Sequence, residues 1–287
     1  MAETVKPGTL YVVATPIGHL GDLSTRAAAV LCDCDRILAE DTRHTARLLD
    51  HLGVRRAMTS VHEHNEQSRL QDVLGWLEKG QALALVSDAG TPLISDPGFV
   101  LVRAARRHGY AVTTTPGPCA VTAALSVSGL PMDRFVFEGF PPSRRGQRQR
   151  FLEGLAREER TLVFYESPRR VAATLRDMVA VFGGQRDGVV VRELTKAYES
   201  VYADTLANLV ARCDSGDMVT KGEFVLIVAG ADKAGAAETA SVEAETLLVR
   251  LLGSVSVREA VRITSDLTGA GRNQLYERAL TLQNSGQ

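Results

Sequence analysis

The sequence predicts an α/β protein built on a parallel sheet with helices on both faces, followed by a more mixed sheet and a small helical tail. Three observations carry this. Strand-like apolar runs and helical patterns alternate five times before residue 118, the spacing of βαβ units. The run Ala82-Leu-Ala-Leu-Val86 has no polar face, as a strand covered on both sides requires. Directly after it comes Ser87-Asp-Ala-Gly-Thr-Pro-Leu-Ile-Ser-Asp-Pro-Gly98, a small, polar loop punctuated by Gly and Pro. In open α/β sheets ligands bind beyond the carboxyl ends of parallel strands, and a loop this long is uncommon without a function.

The elements follow in order. Thr9–Thr15 is a strand, and Ser24 caps a helix to Cys34. Strands at Arg36–Glu40 and Ala57–Val61 alternate with helices at Thr42–Leu52 and Asn65–Lys79. Ala82–Val86, the helix Phe99–His108 and the strand Tyr110–Thr115 complete the first domain, set at residues 1–118. A helix to Ser128 opens the second domain, 119–230, whose strands are expected at Phe135–Glu138, Thr161–Tyr165, Val189–Arg192, Ser200–Ala203 and Phe224–Val228. Pro141-Pro142 reads as a flexible crossing, and Ser167-Pro168 starts a helix to Phe182. Residues 231–241 have the composition of a linker. Helices at Glu243–Leu252, Ser256–Leu267 and Arg272–Leu282 form a separate tail, 242–287, whose five arginines suit either nucleic acid or solvent.

Composition removes several classes. The 33 basic and 34 acidic side chains of the 287 residues nearly cancel, so any polyanion contact must come from local clusters. The four cysteines are scattered, and Cys32 and Cys34 diverge on a helix, so neither zinc nor a disulfide framework is expected. His62-Glu63-His64 puts neighbours on opposite faces of a strand and makes a poor metal set. Without an apolar signal core or membrane-length run, we expect a cytoplasmic protein with no membrane partner. Gly18 and Gly21 with Glu40 imitate a dinucleotide site, but the three-glycine spacing is missing, as is any P-loop. NAD and ATP are therefore disfavoured.

Polar clusters recur at strand ends: Glu40-Asp-Thr-Arg-His44, Tyr165-Glu-Ser-Pro168 and Arg192-Glu-Leu-Thr-Lys-Ala-Tyr-Glu199. Together with the 87–98 loop they suggest one cleft shared by both halves. Arg144, Arg145, Arg148 and Arg150 could hold a phosphate backbone beside it, or face solvent.

Leu10-Tyr-Val-Val-Ala-Thr-Pro-Ile-Gly18, Ala39-Glu-Asp-Thr-Arg-His44, the 87–98 loop, Pro116-Gly-Pro-Cys-Ala120, Ser128-Gly-Leu-Pro131, Phe164-Tyr-Glu-Ser-Pro-Arg169 and Arg192-Glu-Leu-Thr-Lys196 together resemble the ribosomal RNA small-subunit methyltransferase I family, of the tetrapyrrole-methylase-like class III fold. The resemblance covers about residues 8–230, with the tail similar to that family's C-terminal domain. His19 departs from the family's usual Asn. The resemblance implies a homodimer that transfers methyl from S-adenosyl-L-methionine to a cytidine 2′-hydroxyl in the decoding region of small-subunit rRNA. By similarity Asp88, Ala89, Gly90, Thr91, Pro92, Ile94, Gly117, Cys119, Ala120 and Tyr165 would bind the cofactor. Asp41, Glu166 and Glu199 are candidate bases, and Arg43 and Lys196 candidate electrostatic stabilisers. A tetrapyrrole-precursor methylase and a non-catalytic RNA-binding assembly factor are the competing readings.

Overall fold

The computed structural model describes residues 5–232 and 244–284. Its first half runs β1 (Thr9–Val13), α1 (Thr25–Asp33), β2 (Arg36–Ala39), α2 (Thr42–Leu52), β3 (Ala57–Ser60), α3 (Glu66–Glu78), β4 (Leu83–Val86), α4 (Phe99–Arg107) and β5 (Ala111–Thr115). These strands form one parallel sheet in the order β3-β2-β4-β1-β5. The central β4 is buried along its whole length, as its unbroken apolar sequence requires. Separate apolar clusters cover the two faces, one around Tyr11, Val30, Ile37 and Leu49, the other around Leu10, Leu38, Val73 and Leu101.

The second half runs α5 (Ala120–Ser128), β6 (Phe135–Phe137), α6 (Arg145–Glu153), β7 (Thr161–Glu166), α7 (Val171–Phe182), β8 (Asp187–Arg192), β9 (Ser200–Thr205), α8 (Leu206–Ser215) and β10 (Phe224–Val228). Its sheet, β6-β7-β10-β8-β9, is mixed: β6 pairs parallel with β7 and every other pairing is antiparallel. Pro141-Pro142, expected as a crossing, lies in a loop that leads into α6. Two helices, α6 and α8, lay outside the sequence-based order of elements. Thr205 caps α8 by accepting from the Asn208 N–H at 3.3 Å, a start signal in the sequence.

Both sheets belong to one compact unit, Met1–Glu153 with Thr161–Ala229; the other comprises Gly154–Arg160 with Gly230–Gln287. Within that second unit, helical residues 244–252 and the helices Val257–Thr268 and Arg272–Asn284 enclose Leu248, Ala260, Val261, Leu275 and Ala279. Ser256 Oγ caps the second of these helices by accepting from the Glu259 N–H at 3.3 Å. Of the linker read at 231–241, residues from 233 onward lie outside the described residues, as does Glu243. Among the described residues the four cysteines are free, no group of side chains could hold a metal, and no helix is long and apolar enough to cross a membrane.

Candidate functional site

A cavity of about 410 Å³ opens at the carboxyl ends of β2 and β4 and is closed from the other side by β7, β8, β10 and their loops. Its first wall is the 87–98 loop, built mainly from backbone. Gly90 pairs with Thr15 in both directions, its N–H donating at 3.1 Å and its carbonyl accepting at 2.9 Å. The Thr91 hydroxyl donates to the Pro118 carbonyl at 2.9 Å, which ties the loop to the segment before α5. Leu93 (φ 74°) and Ser95 (φ 68°) lie in the left-handed region without being glycine, a strain that only an over-determined loop sustains. Gly98 (φ 123°) permits the turn into α4, because a Cβ there would lie 2.7 Å from Leu85 Cδ2.

Three carboxylates fasten the ends of this loop. Glu40 Oε2 accepts from the Asp88 N–H at 3.3 Å, while Asp88 Oδ1 accepts from the Asp41 N–H at 3.1 Å. At the other end buried Glu66, from the first turn of α3, accepts from the N–H groups of Gly98, Val100 and Leu101 at 3.1, 2.7 and 3.2 Å. It thereby satisfies donors that α4 cannot satisfy itself.

The opposite wall contains Tyr165 of β7, Val191, Leu194, Gly222, Glu223 and Val225, with Phe140 at its border. Leu194 lies between two more strained residues, Glu193 (φ 50°) and Thr195 (φ 62°). Lys196 Nζ sits 3.0 Å from Glu193 Oε1 and 2.8 Å from Glu223 Oε2. Burial pulls the Lys196 ammonium down, but these carboxylates outweigh it and raise its pKa. His19, in the loop after β1, donates its N–H to Thr195 Oγ1 at 3.1 Å and accepts the Gly21 N–H on Nδ1 at 3.1 Å. The imidazole thus does the local capping that a short polar side chain does elsewhere. Gly18 allows this approach, since a Cβ would lie 2.5 Å from Lys196 Cγ.

Among the described residues the lining holds the acids Glu40, Asp88, Asp96, Glu166 and Glu223 and no Lys, Arg or His. Burial raises the Glu40 carboxyl, helped by the charges of Asp88 and Asp41. Burial likewise pushes Asp96 up to about 6, with Glu40 and Asp88 adding to the shift against a hydrogen bond from Ser87. Such a wall favours a ligand that carries positive charge and disfavours a polyphosphate.

Of the residues singled out from sequence, Asp88, Ala89, Gly90, Thr91, Ile94, Cys119, Ala120 and Tyr165 line the cavity. Pro92 and Gly117 lie outside its lining. Gly117 packs on the end of β1, where a Cβ would meet Ala14 Cβ at 2.9 Å. Glu166 corrects from candidate base to structural anchor: it borders the cavity, but its carboxylate is buried and accepts from Ser167 N–H at 2.7 Å and Thr174 Oγ1 at 2.6 Å, with Arg170 alongside. Asp41 caps α2 and is gripped by Arg43 at 2.7 Å, and those hydrogen bonds hold its carboxyl well below the usual range, a poor setting for a base. Glu199 is exposed and accepts the Thr195 N–H at 2.5 Å.

The arginine cluster divides. Arg144, Arg145 and Arg150 are exposed. Arg148 corrects from RNA contact to core: it is buried against Asp177 at 2.6 Å and donates to the Ser143 carbonyl at 3.2 Å. On a helix, Arg145 and Arg148 share a face, and that face meets α7. In the tail, Arg262 and Arg272 pair with Asp266, and Arg278 with Glu245. Sequence reasoning named no role for Ile17, Phe140, Gly222, Glu223 and Val225; it set Glu40 aside as a ribose-binding acid but kept Glu40 and Leu194 within the strand-end clusters assigned to the cleft, and both line the cavity.

Comparison with known proteins agrees with this architecture. Residues 9–210 match the model of the Tetrapyrrole (Corrin/Porphyrin) Methylases and residues 238–283 that of the RsmI C-terminal HTH domain. Proteins named ribosomal RNA small subunit methyltransferase I are similar over nearly their whole length. That of Xylella fastidiosa (strain Temecula1) is 50% identical over 94% of this chain and 98% of its own. That of Pseudomonas aeruginosa is 45% identical, over 96% and 98%. Among solved structures, the methyltransferase CobJ superposes with a TM-score of 0.58 at 18% identity, covering 78% of this chain and 95% of that one. Uroporphyrin-III-C-methyltransferase from Thermus thermophilus does so at 0.54 and 19%, covering 77% and 94%. At these identities the structural likeness speaks for the fold.

Proposed function

The chain belongs to the ribosomal RNA small subunit methyltransferase I family, and from that premise we propose that it methylates the ribose 2′-hydroxyl of a cytidine in the decoding region of 16S rRNA, using S-adenosyl-L-methionine. The observation that carries the cofactor assignment is the acid-lined, backbone-walled cavity. Its volume suits a ligand of cofactor size. Its want of cations suits a sulfonium compound that carries no phosphate. Bound there, S-adenosyl-L-methionine supplies an activated, electrophilic methyl group.

Under this reading Asp88, Ala89, Gly90, Thr91 and Ile94 hold the cofactor along one wall, and Cys119, Ala120 and Tyr165 along the other. Pro92 and Gly117 shape those walls from behind. The protein's remaining task is to hold the hydroxyl in line and exclude water, which can supply much of the rate. Lys196, held between Glu193 and Glu223, is the cation proposed to stabilise charge developing on the acceptor oxygen. Arg43 is engaged by Asp41 and Glu199 by the Thr195 amide, and neither lines the cavity. Exposed Arg144, Arg145 and Arg150 are proposed phosphate contacts. The division at residue 118, a homodimer and a cytoplasmic setting belong to the same proposal. Exposed Val127, Met132 and Phe135, on neighbouring segments, supply apolar surface for a second copy.

Transfer of labelled methyl to small ribosomal subunits lacking the modification tests the reading. We expect label in one nucleotide, in a linkage resistant to alkaline cleavage because the 2′-oxygen is blocked. Intact cofactor binding without any transfer to RNA would overturn the substrate and point to a small macrocyclic acceptor.

A further inference from the structure

Phe140 is out of place for a buried-core residue. It borders the cavity, yet it is 56% exposed. Its backbone is nevertheless fixed. Gly139 turns the chain at φ 65°, its carbonyl accepts the Tyr165 N–H at 2.9 Å, and the Pro141 carbonyl accepts from Arg170. Pro141 and Pro142 then restrict the chain that leads away. The ring leans on Tyr165, with centroids 5.5 Å apart at 58°, and Tyr165 rests in turn on Phe137 at 4.9 Å. One aromatic is thus presented to solvent at the rim, backed by two others.

Leaving a phenyl ring in water forfeits burial, and a pinned backbone denies it the freedom to fold away. A planar ligand would recover that loss. The surroundings specify which kind: exposed Arg144 follows within four residues, Arg145, exposed although its Nε lies 3.3 Å from Asp177, within five, and exposed Arg169 follows Ser167 and Pro168, which line the cavity. An aromatic face beside guanidinium groups suits an unpaired nucleotide, with the ring taking the base and the arginines the phosphates. A ribose within paired RNA cannot reach a cavity of this kind while its base remains stacked, and enzymes meet that difficulty by extruding the nucleotide.

We propose that Phe140 is the stacking platform for the extruded base of the acceptor nucleotide, holding it at the rim while its ribose enters the cavity. This rests on the rRNA reading above. The base is recognised there by its π face, so Phe140 contributes affinity and positioning, and the choice of base is made elsewhere.

The test compares the wild-type protein with Phe140→Ala, Phe140→Leu and Phe140→Trp. The readouts are KM and kcat on unmodified small subunits and, separately, the Kd for S-adenosyl-L-methionine by calorimetry. Leu keeps the apolar volume without the π face, and Trp restores the face. We expect KM for subunits to rise roughly tenfold in the Ala and Leu variants, the scale of one base–aromatic stack. The Trp variant should stay near wild type, and the cofactor Kd should move less than about twofold in all three. An unchanged KM in Phe140→Ala overturns the proposal. So does full activity in Phe140→Leu, which would make the side chain mere apolar packing, or a rise in cofactor Kd that matches the rise in KM, which would assign the ring to the adenosine. Wild-type protein that binds cofactor but methylates no rRNA removes the underlying reading and the stacking role with it, a result visible before any variant is made.

Discussion

The loops after β4 and β8 look alike in outline and differ in what anchors them. Each leaves a buried strand, each carries two non-glycine residues at positive φ, and each reaches the same cavity. The 87–98 loop is held through backbone groups, by Thr15, Glu40 and buried Glu66. The 193–199 loop has backbone ties too, Glu193 N–H to the Glu223 carbonyl at 2.9 Å and the Thr195 N–H to the Glu199 carboxylate, but it adds the Glu193–Lys196–Glu223 ion pairs, which the first loop lacks among the described residues. Backbone bonds to buried partners fix a shape, whereas an ion pair with one exposed partner, as Lys196–Glu223 has, is weakened by water and screened by salt. The difference teaches that one wall is set before any ligand arrives and the other can adjust. Accordingly the first should govern cofactor affinity and the second turnover.

The strongest way to break this contrast is Gly98→Ala. Its φ of 123° and the Cβ approach of 2.7 Å to Leu85 Cδ2 leave the new side chain no room. Calorimetry should find no measurable cofactor binding. Next comes Glu66→Ala, which strands three N–H groups, two of them buried, and should cost about 2 kcal/mol of stability in denaturant titration. The same variant should raise the cofactor Kd roughly tenfold through loss of loop preorganisation, while Glu66→Gln keeps one acceptor oxygen and falls between. Lys196→Ala should lower turnover at least about tenfold, as loss of one electrostatic stabiliser does, and leave the cofactor Kd nearly unchanged. Equal turnover would remove Lys196 from the site.

The smallest effect concerns Asp96, whose carboxyl is raised to about 6 by burial, with Glu40 and Asp88 adding. Raised in the folded state, it favours folding in its protonated form, and that contribution is lost as pH rises through about 6. Asp96→Asn should therefore raise the melting temperature of the free protein by a few degrees at pH 7.5 and flatten its pH dependence. Cofactor affinity should run the other way, weakening several-fold in the wild type as pH falls through about 6 and the charge facing a cationic ligand is lost.

The first sheet was legible because β4 is apolar throughout and because Ser24 and Asp41 announce the helices they cap. The 87–98 loop was legible because glycine and proline signal turns locally. Sequence could not tell which arginine of the 144–150 cluster turns inward: Arg148 is buried by Asp177, and that partner is set by the packing of α6 on α7. Glu66 was invisible for the same reason, since its three partners lie more than thirty residues away. Glu166 read as a free acid at a strand end because Thr174 and Arg170 reach it only once α7 has formed. Local chemistry was readable, and long-range partners were not.

One experiment bears most directly on the two-wall account: cofactor Kd and single-turnover rate at saturating cofactor, measured side by side for Glu66→Ala and Lys196→Ala. The account predicts a crossed result, with Kd raised and rate nearly kept in Glu66→Ala, and rate lowered with Kd kept in Lys196→Ala. If both variants move the same quantity, the two loops do not divide the work and the contrast drawn from their anchoring is wrong.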